Sequence, residues 1–345
     1  MLDLTSILAD RLSGSGVDDI RANVGFYPSS ASVEWVSDSG RRMVAGTCLR
    51  QQYYNICGVP VTNPPNLDSL LKMHFGNVYH DEIADLLKRS PLFIDAEKRM
   101  YREYDGGRPP VSGRVDLFML DEETGLPVVG EIKTGGGYFF ERNQIAGLKN
   151  TPAVPRESDV CQVLMYLDFY GQFGVEKAFL YYIDRGSCKT KQYLIRMDDD
   201  GSAWIQSDVV GEYWRHINIP SIDSRWAHVQ ACLEAGQLPR RDYYLQYPND
   251  LIIDMYEEDE LSRTDKTKVK KLLADGYDED CPLLEKGDWQ CRLCDFKDSC
   301  YGVEWDESWE VGKISTPFKL SSEQQMRAEK SAVTNESIEE VVDIL

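Results

Sequence analysis

Two apolar, β-favouring runs, Gly113-Arg-Val-Asp116-Leu-Phe-Met-Leu120 and Val128-Val-Gly-Glu131-Ile-Lys133, flank the turn Asp121-Glu-Glu-Thr-Gly-Leu-Pro127. This pattern predicts a hairpin or close strand pair. Strand side chains alternate faces, so Glu131 and Lys133 share one face, Ile132 enters the core, and the partner strand brings Asp116 beside the two charges. Upstream, Leu67, Leu70, Leu71, Phe75, Val78, Ile83, Leu86 and Leu87 recur at helical spacing and predict a helix between Asn66 and Arg89. Gly76 inside it costs about 1 kcal/mol relative to Ala and marks either a close backbone approach or a helix boundary. Phe93, Ile94, Tyr101 and Tyr104, with a turn at Gly106-Gly107, complete a β-meander with the hairpin.

Past Lys133, the run from Gly135-Gly-Gly137 to Pro155 is long enough to be expected as an irregular, mobile loop beside the hairpin. Ser158 and Asp159 are then expected to cap a helix carrying Val160, Val163, Leu164, Leu167 and Phe169. Gln162 and Tyr166 lie four apart on it and share a face. Strands are expected at Ala178 to Asp184 and Gln192 to Arg196, joined through Arg185-Gly-Ser-Cys188, and a helix from Ile222 to Ala235. Residues 1–40 offer one short helix at the start.

Length supports roughly two domain-sized units, or one core with sizeable additions. The expected division is an N-terminal extension (1–45), a core (46–200), a helical insertion or accessory region (201–280), a cysteine cluster (281–303) and an acidic tail (304–345). Lys plus Arg number 38 against 58 Asp plus Glu, a formal charge of −20, which argues against a protein that coats nucleic acid through a uniformly basic surface and leaves room for a local basic channel. Lys266 to Lys271 is the densest basic cluster, ordinarily a charged helix face, with a DNA-backbone contact as the minority reading. With neither a basic-apolar leader nor a membrane-length apolar run, the expectation is a cytoplasmic protein without membrane partners. No glycine-rich phosphate loop ending in Gly-Lys-Ser or Gly-Lys-Thr is present, so no ATP motor is encoded.

Two carboxylates and an ammonium embedded among Val, Leu and Phe are expensive unless something binds them, and a divalent cation is the natural occupant. Mg²⁺ or Mn²⁺ takes oxygen ligands such as Asp116 and Glu131 and favours hydrolysis, with Lys133 placed to orient a water or neutralise charge on a phosphate oxygen. His80 is either a satisfied core histidine or an additional ligand. Arg142, Lys149 and Arg156 are either phosphate contacts or solvated charges. Nine cysteines are an odd number in a chain without a secretory signal, which disfavours a disulfide framework. Cys161, Cys188 and Cys232 read as packing residues. Cys291, Cys294 and Cys300, three thiols within ten positions, read as metal ligands, and the fourth is Cys48, Cys57 or Cys281. Spacing leaves zinc and iron–sulfur both open.

Taken in order, Gly76-x-x-x-His80, Gly113-Arg-Val-Asp116, Glu131-Ile-Lys133 and Gln162-x-x-x-Tyr166 resemble the motifs of the RecB-like branch of the PD-(D/E)XK nucleases. Cys48 followed by Arg50 and Tyr53-Tyr54, with Trp289 and Cys291-x-x-Cys294-x-Phe-x-x-x-Cys300, resembles its iron–sulfur subset, which includes CRISPR-associated exonucleases and helicase–nuclease nuclease domains. The resemblance covers residues 45–302. It implies an α/β, restriction-endonuclease-like mixed sheet flanked by helices, with the N- and C-terminal regions joined by a four-cysteine [4Fe–4S] cluster on Cys48, Cys291, Cys294 and Cys300. It further implies Mg²⁺ or Mn²⁺ held by His80, Asp116, Glu131 and the Ile132 carbonyl, Lys133 as catalytic lysine, and Gln162 and Tyr166 lining the site. The implied function is a metal-dependent DNA exonuclease preferring single strands or free ends, acting in end processing, recombination, or phage- or CRISPR-type DNA metabolism beside a separate helicase, integrase or recombinase. The alternative is a non-catalytic DNA-end or partner-binding module with a structural iron–sulfur or zinc clasp.

Overall fold

The computed structural model describes residues 11–12, 25–103, 110–149, 151–207, 211–277, 281–301 and 311–313. A hairpin of β1 (Ser32–Val36) and β2 (Arg42–Gly46) precedes helices α1 (Leu49–Ile56) and α2 (Leu67–Leu87). The meander β3 (Phe93–Arg102), β4 (Val111–Leu120) and β5 (Pro127–Gly135) leads to helix α3 (Glu157–Tyr170). Strands β6 (Lys177–Asp184), β7 (Thr190–Met197), β8 (Ser202–Gln206) and β9 (Gly211–Asn218) follow, then helices α4 (Ile219–Ala235), α5 (Asn249–Glu257) and α6 (Arg263–Asp275).

Strands β3 to β9 form one mixed α/β sheet in chain order. The β5–β6 pair is parallel and the others are antiparallel. A parallel pair needs a crossover, and α3 provides it. Val160, Val163, Leu164 and Leu167 of α3 press on one sheet face with Val129, Leu180 and Ile195, in a core that reaches from Phe26 to Phe296. On the other face α2 brings Tyr79, Ile83 and Ala84 onto Leu117, Ile132 and Ile183. Strand β5 is therefore covered on both sides, which explains its nearly unbroken burial from Pro127 to Ile132.

Several expectations are corrected. Helix α3 starts at Glu157, so Ser158 and Asp159 sit in its first turn instead of capping it. The Tyr182 hydroxyl takes the capping role: it accepts the Arg156 N–H (3.0 Å) and donates to Asp159 Oδ2 (2.7 Å). The segment after Lys133 is regular for much of its length, with a helical turn at Tyr138–Phe140 running into a π-helical stretch, Glu141–Ala146. Phe140 pins it by stacking on Gly135, where an added Cβ would lie 2.3 Å from the ring. Gly76 lies inside α2 and not at a boundary, and a Cβ there would meet Thr134 Oγ1 at 3.4 Å, an ordinary packing contact. The sheet continues through β8 and β9, so the region beyond residue 200 opens with strands. Cys161 and Cys232 are buried as expected, whereas Cys188 is exposed at left-handed φ (+56°), because it closes the tight β6–β7 turn. The basic run from Lys266 falls on helix α6. The helix expected at the chain start, Tyr104, the Gly106-Gly107 turn and the acidic tail, apart from 311–313, lie outside the described residues. Among the described residues no helix is long and apolar enough to cross a membrane.

A buried charge cluster ties the first hairpin to α4 and the segment after it. Asp242, its side chain fully buried, pairs with Arg42 (2.5 Å) and Arg225 (2.6 Å) and accepts the Leu49 N–H at the start of α1 (2.7 Å). Glu34 pairs with Arg42 (2.8 Å), Arg225 (3.0 Å) and Arg240 (2.6 Å). Burial alone would raise both carboxyls, but the guanidinium groups outweigh it, bringing Glu34 down to about 2 and lowering Asp242 as well. Replacing Asp242 by Asn leaves the buried Arg225 and the half-buried Arg42 with Glu34 alone and is expected to cost about 3 kcal/mol of stability in urea unfolding; an unchanged midpoint would contradict this. Depressed carboxyl pKa values stabilise the fold above their unfolded values and lose that contribution as pH falls through the folded ones. The parent's urea midpoint is therefore expected to drop below about pH 4.5 and on toward pH 2. In Glu34→Gln the midpoint should be lower at neutral pH and its acid dependence shallower.

Candidate active site and cysteine cavity

The β4–β5 ladder runs from the Leu120–Pro127 rung to Leu117–Gly130. Continuing that register sets Asp116 opposite Glu131, and directly opposed residues share a face. Past the last rung the Asp116 carboxylate takes the Ile132 N–H (Oδ2, 2.7 Å), so a side chain stands where a strand carbonyl otherwise would.

Helix α3 supplies the opposite wall. Lys133 Nζ lies 2.7 Å from Glu131 Oε1 and donates to Gln162 Oε1 (2.7 Å). The Gln162 amide donates to Glu131 Oε1 (2.9 Å) and to the Tyr166 hydroxyl (2.7 Å), which itself donates to the Arg114 carbonyl (2.9 Å). Both amide protons of Gln162 and the single proton of Tyr166 are thereby engaged. Glu131 is 3% exposed, and its Oε2 is buried without a hydrogen-bond partner among the described residues. A buried carboxylate oxygen left this way is costly and calls for a missing partner.

The titration of these groups follows from burial and from one another. Burial, then the neighbouring Glu131 charge, pushes Asp116 well above the ordinary carboxyl range. Burial also raises Glu131 and outweighs the attraction of Lys133. It works against the Lys133 ammonium, but Glu131, Asp159 and Asp116 overcome it and hold the lysine charged. His80 reaches the site from α2, with Nδ1 3.6 Å from Asp116 Oδ2. Burial and then Lys133 depress its pKa, while a hydrogen bond to the Ile132 backbone acts in the other direction. The imidazole is accordingly neutral at neutral pH, the form in which it can ligate a metal.

The structure therefore brings His80, Asp116, Glu131, Ile132, Lys133, Gln162 and Tyr166 into one region. Among the described residues no group of three or more His, Cys, Asp or Glu stands ready to hold a metal ion. The donors nevertheless fit a hard divalent cation in kind: two mutually repelling carboxylates, one with an unpartnered oxygen, and a neutral imidazole. Arg142 and Arg156 lie over the rings of Tyr138 (5.2 Å) and Phe140 (5.5 Å), and Lys149 is exposed.

Two further acidic residues near this region are not among the expected site residues. Glu97 stands between the Ala96–Leu117 and Lys98–Val115 rungs, opposite Asp116, at a left-handed φ of +58°, and its carboxylate pairs with Arg114. Its charge adds to the pressure on Asp116. Alternation along β3 was the available signal, but the backbone twist at Glu97 is not written in residue type. Asp159, expected as a cap, contributes its charge to holding Lys133 protonated.

The cysteines gather elsewhere. Cys48, Cys291, Cys294 and Cys300 line one cavity together with Arg50, Arg241 and Lys297. Of the three candidates for the fourth thiol, Cys48 is the one at this wall; Cys57 is buried in the main core and Cys281 is exposed. Asp242, through the Leu49 N–H, fixes the helix start that presents Cys48. Arg50 donates to Cys300 Sγ (3.3 Å) and to the Pro239 carbonyl (3.0 Å). Phe296 is buried with its ring 5.5 Å from Tyr54, and Asn63 donates to the Cys294 carbonyl (3.0 Å). Burial pushes Cys48 up to about 12 and Cys294 to about 11. Without a metal Cys48 and Cys294 stay protonated, while the surrounding cations suit an anionic thiolate-ligated centre.

Gln162→Leu removes the amide that saturates Glu131 Oε1 and positions Lys133. It is expected to lower stability by about 1–3 kcal/mol in a thermal melt without divalent ions, and a melt matching the parent would show the network to be dispensable.

No family model matches the chain, and no curated protein matches it. Seven chains of solved structures match. One, described as "Crystal structure of SSO0001", is 18% identical over 55% of this chain and 77% of that one, with a TM-score of 0.35, a likeness too slight to bear on fold or function.

Proposed function

We propose that the chain is a metal-dependent deoxyribonuclease of the RecB-like PD-(D/E)XK type, with a restriction-endonuclease-like core, acting as an exonuclease on single-stranded DNA or free ends. The observation that carries the reading is the buried Glu131 carboxylate, held by Lys133 and Gln162 on one oxygen and unpartnered on the other, with Asp116 opposite it. A scaffold has no physical need for this arrangement, since burying charge without a function is costly.

His80, Asp116, Glu131 and the Ile132 carbonyl would hold Mg²⁺ or Mn²⁺, which supplies Lewis-acid stabilisation of phosphate charge and a more acidic water. Lys133, kept charged, faces the developing negative charge. Gln162 fixes the lysine's direction through its carbonyl, and Tyr166 fixes the amide. Cys48, Cys291, Cys294 and Cys300 would hold a [4Fe–4S] cluster, with zinc as the alternative, serving as a clasp between segments far apart in the chain. An enzyme of this kind carries no motor and fits work beside a separate helicase, integrase or recombinase in end processing, recombination, or phage- or CRISPR-type DNA metabolism.

Digestion of end-labelled single-stranded, duplex and circular DNA with Mn²⁺ tests the reading. The parent should degrade strands with ends, while Asp116→Ala and Lys133→Ala should fall by about 100-fold or more. Variants that cut as well as the parent would refute the site. Protein purified without oxygen should be brown; Cys48→Ala should lose iron and Cys57→Ala should keep it. A colourless protein with stoichiometric zinc would refute the cluster.

A further inference from the structure

Immediately after the strand carrying Glu131 and Lys133, the chain presents Tyr138-Phe-Phe140. Phe140 is buried on Gly135, but Phe139 is 77% and Tyr138 61% exposed. Leaving a Phe ring in water forgoes about 1.5–3 kcal/mol of burial. The buried third ring and the Gly137 turn at φ +92° fix the segment so that the first two rings face outward. They meet edge to face, with centroids 5.6 Å apart. On α2, Phe75 is 52% exposed and adjoins Gly76, the residue that approaches Thr134. Arg185 stitches the two pieces together, donating to the Gly135 carbonyl (3.3 Å) and the Lys72 carbonyl (2.7 Å). Three exposed aromatic rings thus border the end of β5, one turn of α2 before His80 and a few residues beyond Lys133.

Two guanidinium groups stand beside these rings, among the acidic Glu141, paired with Lys189, and Asp184, which is bonded within its own turn. Arg142 lies over the Tyr138 ring, and Arg185 donates to carbonyls, so neither of these contacts neutralises its charge. Aromatic faces interleaved with unneutralised guanidinium groups suit a polyanion that also offers π-faces. A duplex hides its bases in the stack, whereas a single strand exposes them.

We propose that Tyr138 and Phe139, with Phe75 at the rim, form a shelf on which bases of a single nucleic-acid strand stack while Arg142 and Arg185 contact its phosphates. This deepens the nuclease reading, on which the identification of the strand as DNA rests, by naming the surface that leads the strand to Lys133.

The test measures binding in EDTA, so it does not depend on cleavage. The probes are a labelled oligothymidylate, an abasic deoxyribose strand, a duplex, and an RNA strand. The parent should prefer oligothymidylate to both the abasic strand and the duplex. Tyr138→Ala/Phe139→Ala should weaken oligothymidylate binding about ten-fold or more and abolish the preference over the abasic strand, whereas Tyr138→Phe should stay within about two-fold of the parent. Arg142→Gln should reduce the salt slope by about one. Equal binding of abasic and base-bearing strands, or parent-like binding by the double alanine variant, would overturn the shelf. So would a change in sedimentation of that variant without a change in nucleic-acid binding, which would place a second copy of the chain on these rings. If the double variant still binds like the parent while the parent cuts DNA with Mn²⁺, the shelf fails and the nuclease reading stands. Base-dependent binding by a parent that never cuts keeps the shelf and removes the nuclease. Tighter binding of RNA than of DNA keeps the shelf and removes DNA as its strand.

Discussion

Glu131 is a carboxylate placed on an interior strand, β5, that is covered on both faces, and its neighbourhood is arranged to make that placement tolerable. Lys133 supplies the counter-charge, Gln162 the hydrogen bond, and Tyr166 the group that orients Gln162. Helix α3 is both the crossover that makes β5 and β6 parallel and the source of two of these partners. Topology and electrostatics are therefore coupled: moving α3 by one residue would turn Gln162 away and leave a charged pair incompletely bonded. On the other face α2 packs by small and apolar residues, its Gly76 close against Thr134, which delivers His80 to the same strand end.

A second constraint operates at the far side of the core. The arginines around Glu34 and Asp242 hold the first hairpin to α4, and Asp242 also accepts the N–H that opens α1. Cys48 directly precedes that N–H, so a buried anion distant in sequence sets the position of one thiol, while Arg50 and Arg241 bind the segment carrying Cys300. The four cysteines thus share a cavity through packing and hydrogen bonds that exist without a metal. In the proposed function a cluster would lock an arrangement the protein already favours.

The hairpin and the Gln162–Tyr166 face were readable in the sequence because each rests on local periodicity, two for Asp116 and Glu131 and 3.6 for the helix; the helix bearing His80 forms where expected, but Phe75, Val78 and Leu86 of its apolar pattern are exposed and only Ala84 is buried. The central strand pair came out as expected, down to the shared face of Glu131 and Lys133. What sequence withheld depends on contacts between distant segments. Tyr182 acting as the cap of α3, Phe140 turning a glycine-rich stretch into helix, and Asp242 meeting Arg42 and Arg225 all join residues with no common local pattern. Strands β8 and β9 fall in the region expected to be a helical insertion, because the turn at Asp198-Asp-Asp-Gly201 reverses the chain back into the same sheet. Choosing Cys48 over Cys57 from residue types alone was likewise beyond reach; one faces the cavity and the other the core.

In the proposed function Asp116 and Glu131 are kept buried together in order to share a divalent cation. Calorimetric titration of Mn²⁺ into the parent, Asp116→Asn and Glu131→Gln, each checked for an intact fold by its melting curve, addresses it without relying on catalysis. One saturable site in the parent that is lost in both variants is the expected result. A parent that binds no Mn²⁺, or variants that bind it as tightly as the parent, would contradict the account.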